Sequence, residues 1–221
     1  EAPKDWCYVF NFKRPKYPKA IGMKPGQGRI FKNEVKQAIR NIGLEIPKIL
    51  TSKEYENNRN LLYTNHQKNA QKIINELNDL AKQYNFIFRL TEKGMMSIPL
   101  KEGKPMTDEE LNNLPESEIE ELVKISNELN QKAYDYIKRI KEVEDTYLRE
   151  LKSLKEENVL KVLDDHLNIL IEKYKYNQDI CEYLEDMKVD IVKHYEMFMK
   201  DDEKKAIEKK NYRNNSYEEK L

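Results

Sequence analysis

Three sets of residues in this chain have types suited to chemistry, and their spacing decides whether chemistry follows. Gly22-Met-Lys-Pro-Gly-Gln-Gly28 comes nearest to a phosphate cradle, but it lacks the lysine and hydroxyl pair and the spacing by which backbone N–H groups surround a phosphate. Those residues favour a turn-rich loop. His66, His166 and His194 fall on three different predicted helices. Asp164, Asp165 and His166 are adjacent, so on a helix they point in different directions and do not converge on a metal. The 14 tyrosines include Tyr55, Tyr84, Tyr136 and Tyr147, whose rings are of a type that stacks nucleic-acid bases. At helical spacing such rings pack in seams with a wet hydroxyl. The chain contains no GxxxxGKS/T, HExxH, CxxC or GxSxG, so the sequence predicts no catalytic, cofactor-binding or metal-binding residue in it.

Lysine plus arginine equals aspartate plus glutamate at 40 each, so overall charge gives no case for a nucleic-acid or membrane partner. Its distribution is uneven. Residues 1–40 carry ten basic side chains against Glu1, Asp5 and Glu34, whereas residues 107–157 are net acidic. Cys7 and Cys181 are too few and too differently placed for a disulfide framework. No run approaches the roughly 20 apolar residues of a membrane span, and no signal layout opens the chain. A cytoplasmic protein is the expectation.

The elements that would position these groups are mainly helical. From Ile119 to Leu154 apolar residues recur mostly at steps of three and four, with Ser126 the one polar seam position. That spacing fits either one face of a bundle helix or a two-helix arm. Thr51 with Glu54 reads as a capping box, and a helix can then run to about Asn85, with Arg59, His66 and Asn69 or Ala70 at seam positions that should pack less tightly. Phe86–Leu90, a Glu92-Lys93-Gly94 turn and Met95–Leu100 read as a β-hairpin, with Pro99 confining its second strand to an edge. The only two seams of matching length flank this hairpin, which predicts a long antiparallel helical hairpin (coiled-coil arm) with the small β-hairpin at its tip.

At the N-terminus, Trp6–Phe12 is almost continuously apolar, the pattern of a strand buried on both faces. A long basic loop, Lys13–Arg29, follows. Phe31, Val35, Ala38, Ile39 and Ile42 then keep a helical period up to Gly43, where a helix would stop. The predicted division is a short α/β piece at 1–44, a helical insertion at 45–200 with its β-hairpin near 86–100, and a charged tail at 201–221.

The segment DWCYVFNFKRPKYPKAIGMKPGQGRIFKNEV, Asp5–Val35, resembles a specific stretch of the Lon-related (LonB- or LonC-like) ATP-dependent proteases: D-W-C-Y-V-x-N-F, then x-x-P-x-x-P-x-A, then P-A-G-x-G-x-x-F. Lys24 stands where that family commonly has alanine. Leu163–Phe198 is similar to the closing helices of the family's long helical insertion, with Glu172-Lys173-Tyr174 and Tyr183-Leu184-Glu185 the clearest words. The resemblance implies an AAA+ module joined to a Ser-Lys protease domain in a homo-hexameric ring, acting on unfolded proteins, with ATP and Mg bound in the parent. The 1–44 piece would then be part of the AAA+ α/β core. The phosphate loop would lie upstream of Glu1, and the Mg-binding strand and catalytic serine and lysine downstream of Leu221. On this reading the chain is a non-catalytic fragment whose arm serves substrate access or subunit contact. The alternative is a coiled-coil scaffold or nucleic-acid accessory protein unrelated to proteolysis.

The resemblance also implies that Ala20, Ile21, Gly22, Met23, Pro25 and Gly26 form a substrate-facing loop, with Ala20 in place of the family's aromatic. Ile21 and Met23 would grip unfolded chain from a mobile tip. The other outcome open to them is to dock as a short edge strand.

With no phosphate loop and no nucleophile and base pair, the purified chain is expected neither to hydrolyse ATP nor to cleave casein. Reproducible hydrolysis that a single substitution within the chain abolishes would contradict this.

Overall fold

The computed structural model describes residues 3–91 and 94–199. In chain order the elements are β1 (Asp5–Val9), β2 (Lys19–Met23), α1 (Gln27–Leu50), α2 (Lys53–Lys82), β3 (Phe86–Thr91), β4 (Gly94–Lys101), β5 (Lys104–Pro105), α3 (Asp108–Asn112), α4 (Glu116–Lys173) and α5 (Gln178–His194), then a 3-10 turn at Tyr195–Phe198. The fold is mainly α with small antiparallel β-hairpins, as the periodicity predicts. Two compact units are formed: residues 3–59 with 151–199, and residues 60–91 with 94–150. The division falls within α2 and within α4. The expected turn at Glu92-Lys93 and the charged tail at 201–221 lie outside the described residues. No helix among the described residues is long and apolar enough to cross a membrane.

In the first unit, β1 and β2 pair antiparallel, with Trp6 opposite Gly22 and Tyr8 opposite Ala20. Two expectations are corrected here. The Lys13–Arg29 stretch is not one long loop, since β2 lies inside it. Nor is the first strand buried on both faces: Cys7 and Val9 pack against the core while Trp6 and Tyr8 are exposed. A two-stranded sheet covered on one face shelters only every second residue, because successive side chains alternate across the strand.

The expected helix stop at Gly43 is also corrected. α1 runs through Gly43 and Pro47 to Leu50. Glycine in a helix interior costs roughly 1 kcal/mol and proline about 3, but Ile42, Ile46 and Leu50, one helical turn apart, are all buried. Fully burying one such side chain is worth about 1.5–3 kcal/mol, so tertiary packing outweighs the local preference. Gly43 also gives room to Phe198, whose ring carbon lies 3.1 Å from where a Cβ would stand. The core of this unit joins these residues to Val159, Leu163 and Leu167 of α4 and to Ile180, Leu184 and Ile191 of α5.

Thr51 does not cap α2 as expected. Its hydroxyl donates to the carbonyl of Pro47 at 2.8 Å, closing α1, and Ser52 Oγ accepts from the Tyr55 N–H at 3.2 Å to open α2.

The second unit is the antiparallel arm. Lys132 reaches Tyr84, Arg139 reaches Glu76 and Tyr147 stacks on His66, so position falls along α4 as it rises along α2. Leu77, Ala81, Leu129 and Ala133 form its core with Phe86 and Phe88 of β3. Ser126, the polar seam position, hydrogen-bonds Ser97 of β4 at 2.7 Å. Pro99 does not confine β4 to an edge: β4 is the middle of three strands. Proline is accommodated there because β5 pairs only with Leu100 and Lys101, so no ladder bond is asked of the missing N–H on that side. Glu102 and Gly103, with φ of 52° and 77°, make the tight turn between β4 and β5.

Leu77 is 1% exposed, so Leu77→Ala is expected to destabilise the arm by about 2–5 kcal/mol, as for other buried leucines. Urea unfolding followed by circular dichroism measures this, and a loss under about 1 kcal/mol would mean that α2 is not packed through this face.

Candidate functional site

The segment singled out as substrate-facing begins as β2 and ends at the start of α1. Docking as a short edge strand is the outcome the structure contains. Ile21 is 0% and Met23 4% exposed, both in the core, so neither is the tip of a mobile loop. Ala20, Pro25 and Gly26 are exposed, and Gly22 is half-buried under the Trp6 ring. In KAIGM the apolar residues alternate with small ones, and in a strand that alternation sends Ile21 and Met23 inward together.

Three sets of contacts hold the hairpin in place. Asp5 accepts a hydrogen bond from the Gly28 N–H at 2.9 Å, which puts a carboxylate at the N-terminus of α1, where the dipole and orphan N–H groups favour it. A Cβ on Gly28 would stand 3.1 Å from Cys7 Sγ and 3.2 Å from Asp5 Cβ, so a side chain there would oblige these groups to give by a few tenths of an ångström. The same helix start holds Gly26 at φ 82°, which glycine adopts without strain. Asn177, which opens α5, donates to the Gly22 carbonyl at 2.9 Å.

The third set is ionic. Glu182 on α5 accepts from Lys13 at 2.8 Å and Lys19 at 2.7 Å, and Lys13 also lies 3.1 Å from Asp186. Hydrogen bonds from Lys13 and then Lys19 hold the Glu182 carboxyl well below its usual range, at about 2. Farther along α1, Glu34 pairs with Lys173 and accepts from the Tyr174 hydroxyl at 2.8 Å. Burial and then this bond to Glu34 push the Tyr174 phenol upward, so it stays protonated as a donor.

What this arrangement leaves on its outer face escaped the sequence reading. Trp6 is 61% and Tyr8 75% exposed, and Phe10 and Tyr17 are exposed beyond them. The signal was present in the small residues Ala20 and Gly22, which fall opposite the aromatics.

In the second unit an open groove of about 530 Å³ is lined by Asn65, His66, Lys68, Arg139, Tyr147 and Glu150 among others. It lies where polar residues replace apolar ones in the α2 seam. His66 is buried and stacked on Tyr147, ring centroids 4.8 Å apart. Burial pushes its imidazole below the ordinary value, against a backbone hydrogen bond at Val143 and the Glu144 carboxylate. Thr146, which also lines the groove, donates to the Glu142 carbonyl and accepts from Arg149. Its bonds are thus directed away from acid–base work with His66. Among the described residues no group of three or more histidine, cysteine, aspartate or glutamate side chains is placed to hold a metal ion.

Residues 5–38 match the family model of the Lon-like LonC helical domain. The match spans β1, β2 and the first half of α1, and it supports a relationship to Lon-like proteases at the level of this domain. No curated protein matches the chain.

Because the folded Glu182 carboxyl sits below its ordinary 4.5, its contribution is fully present above that value and is lost as pH falls toward about 2. The stability difference between the wild type and Glu182→Gln is therefore expected to be constant at neutral pH and to shrink below pH 4.5. Urea midpoints across that range measure it, and a difference that persists at pH 2 would contradict the assignment.

Proposed function

We propose that this chain belongs to a Lon-like ATP-dependent serine protease and is a non-catalytic part of it, with the arm of residues 60–150 governing substrate access or contact between ring subunits. The observation that carries the proposal is the family match at residues 5–38, which coincides with the β1–β2 hairpin and the start of α1. Supporting it, the arm is a long helical excursion leaving and re-entering the same unit as that hairpin. In this reading the first unit is part of an AAA+ module. ATP and Mg bind elsewhere in the parent, a Ser-Lys pair outside this chain cuts the peptide bond, and the parent works in the cytoplasm as a homo-hexamer on unfolded proteins. Ile21 and Met23 serve the core rather than a substrate grip, because their side chains are buried.

The test is made in the full-length parent. Replacing residues 60–150 with a short linker is expected to slow degradation of an unfolded protein at least several-fold while cleavage of a short peptide continues. Unchanged degradation of both substrates would remove the arm from the mechanism. A reading frame lacking a Ser-Lys domain would favour the scaffold reading instead.

A further inference from the structure

We propose that the outer face of the β1–β2 hairpin is a stacking platform for a short single-stranded nucleic acid. Its geometry follows from the register, which sets the two aromatics against the two smallest partners, Trp6 against Gly22 and Tyr8 against Ala20. Ring carbons of Trp6 lie 3.4, 3.5 and 3.8 Å from where a Gly22 Cβ would stand, so the indole lies across the strand. It turns its other face to water, at 61% exposure, with Tyr8 beside it at 75%. Residues two apart on a strand are about 6.5–7 Å apart, so each ring is free to take one base of an extended strand.

Charge identifies the occupant. Lys4 precedes Trp6 by two residues and Lys24 follows Gly22 by two, so cations flank the aromatic pair at one end, while Arg14 and Lys16 stand in the connection at the other. Lys13 and Lys19 are neutralised by acids of α5. Lys4, Arg14, Lys16 and Lys24, by contrast, make no ion pair among the described residues. Asp5 is the one acid between residues 3 and 33, and its carboxylate is held by the Gly28 N–H. Aromatic faces bounded by cations that no acid neutralises among the described residues, with Lys24 lying 5.8 Å over the Tyr176 ring, complement a polyanion whose units carry planar rings. An apolar peptide would gain little from the cations. A bilayer calls for rings that project as wedges, whereas Trp6 lies flat.

Trp6 is the single tryptophan of the chain, so its emission reports directly on this face. Titrating the full chain with an oligothymidylate eight nucleotides long at low salt is expected to give saturable quenching by more than half. The affinity should fall with salt at a log–log slope of about −2 to −3, the value for three or four phosphates neutralised on a single strand. With a fluorescein-labelled oligonucleotide read by anisotropy, Trp6→Ala and Tyr8→Ala are each expected to weaken binding about tenfold or more, and Trp6→Phe less. Lys4→Ala with Lys24→Ala should flatten the salt slope. Both aromatics are exposed, and circular dichroism checks that the variants remain folded. Absence of quenching overturns the proposal, as does heparin binding equally well with no loss in Tyr8→Ala, which would mean charge alone. Tighter binding of an unfolded acidic peptide or of anionic phosphatidylserine vesicles would also overturn it.

Discussion

One apolar stripe along α4 underlies both units. From Glu116 to Lys173 the chain meets neither glycine nor proline, so nothing local interrupts the helix. It presents Leu129 and Ala133 to the core of one unit and Val159, Leu163, Leu167 and Leu170 to the core of the other. Isolated helices draw little stability from propensity, and this one has a modest mean hydropathy. Its order therefore rests on what α2, β3, α1 and α5 bury against that stripe. The stripe widens beyond Leu154, where a partner on one side no longer suffices and several elements converge.

The same balance sets the hairpin. Burying Ile21 and Met23 contributes about 1.5–3 kcal/mol for each side chain, whereas the lysine and carboxylate contacts to α5 are exposed and screened by water and salt. Apolar burial thus docks the hairpin, and the ion pairs select its orientation. At Gly28 the missing side chain leaves room for Cys7 and Asp5 of β1 beside the start of α1. A consequence is functional: with the apolar residues of β2 spent on the core, the chemistry left facing outward is aromatic and cationic.

A formal net charge of zero conceals this polarity. The basic excess of the first 40 residues is divided between lysines engaged by α5 and others that remain unpaired among the described residues. The arm holds its own polar interior at His66, where burial favours the neutral imidazole and leaves an open groove in place of tight seam packing.

Period and punctuation in the sequence determined the mainly helical class, the antiparallel arm and the hairpin between its helices. These depend on interactions between near neighbours, or on apolar spacing that only one pairing satisfies. The resemblance at Asp5–Val35 was legible as well, because it rests on residue identity. Only the tertiary structure decided that α1 passes through Gly43 and Pro47, that Ile21 and Met23 face inward, and that Trp6 and Tyr8 stay in water. A continuous apolar run such as WCYVF is equally compatible with two buried faces or one. Its outcome depends on which elements cover the sheet, and that is a contact between residues far apart in sequence, such as Asn177 with Gly22 or Glu182 with Lys19.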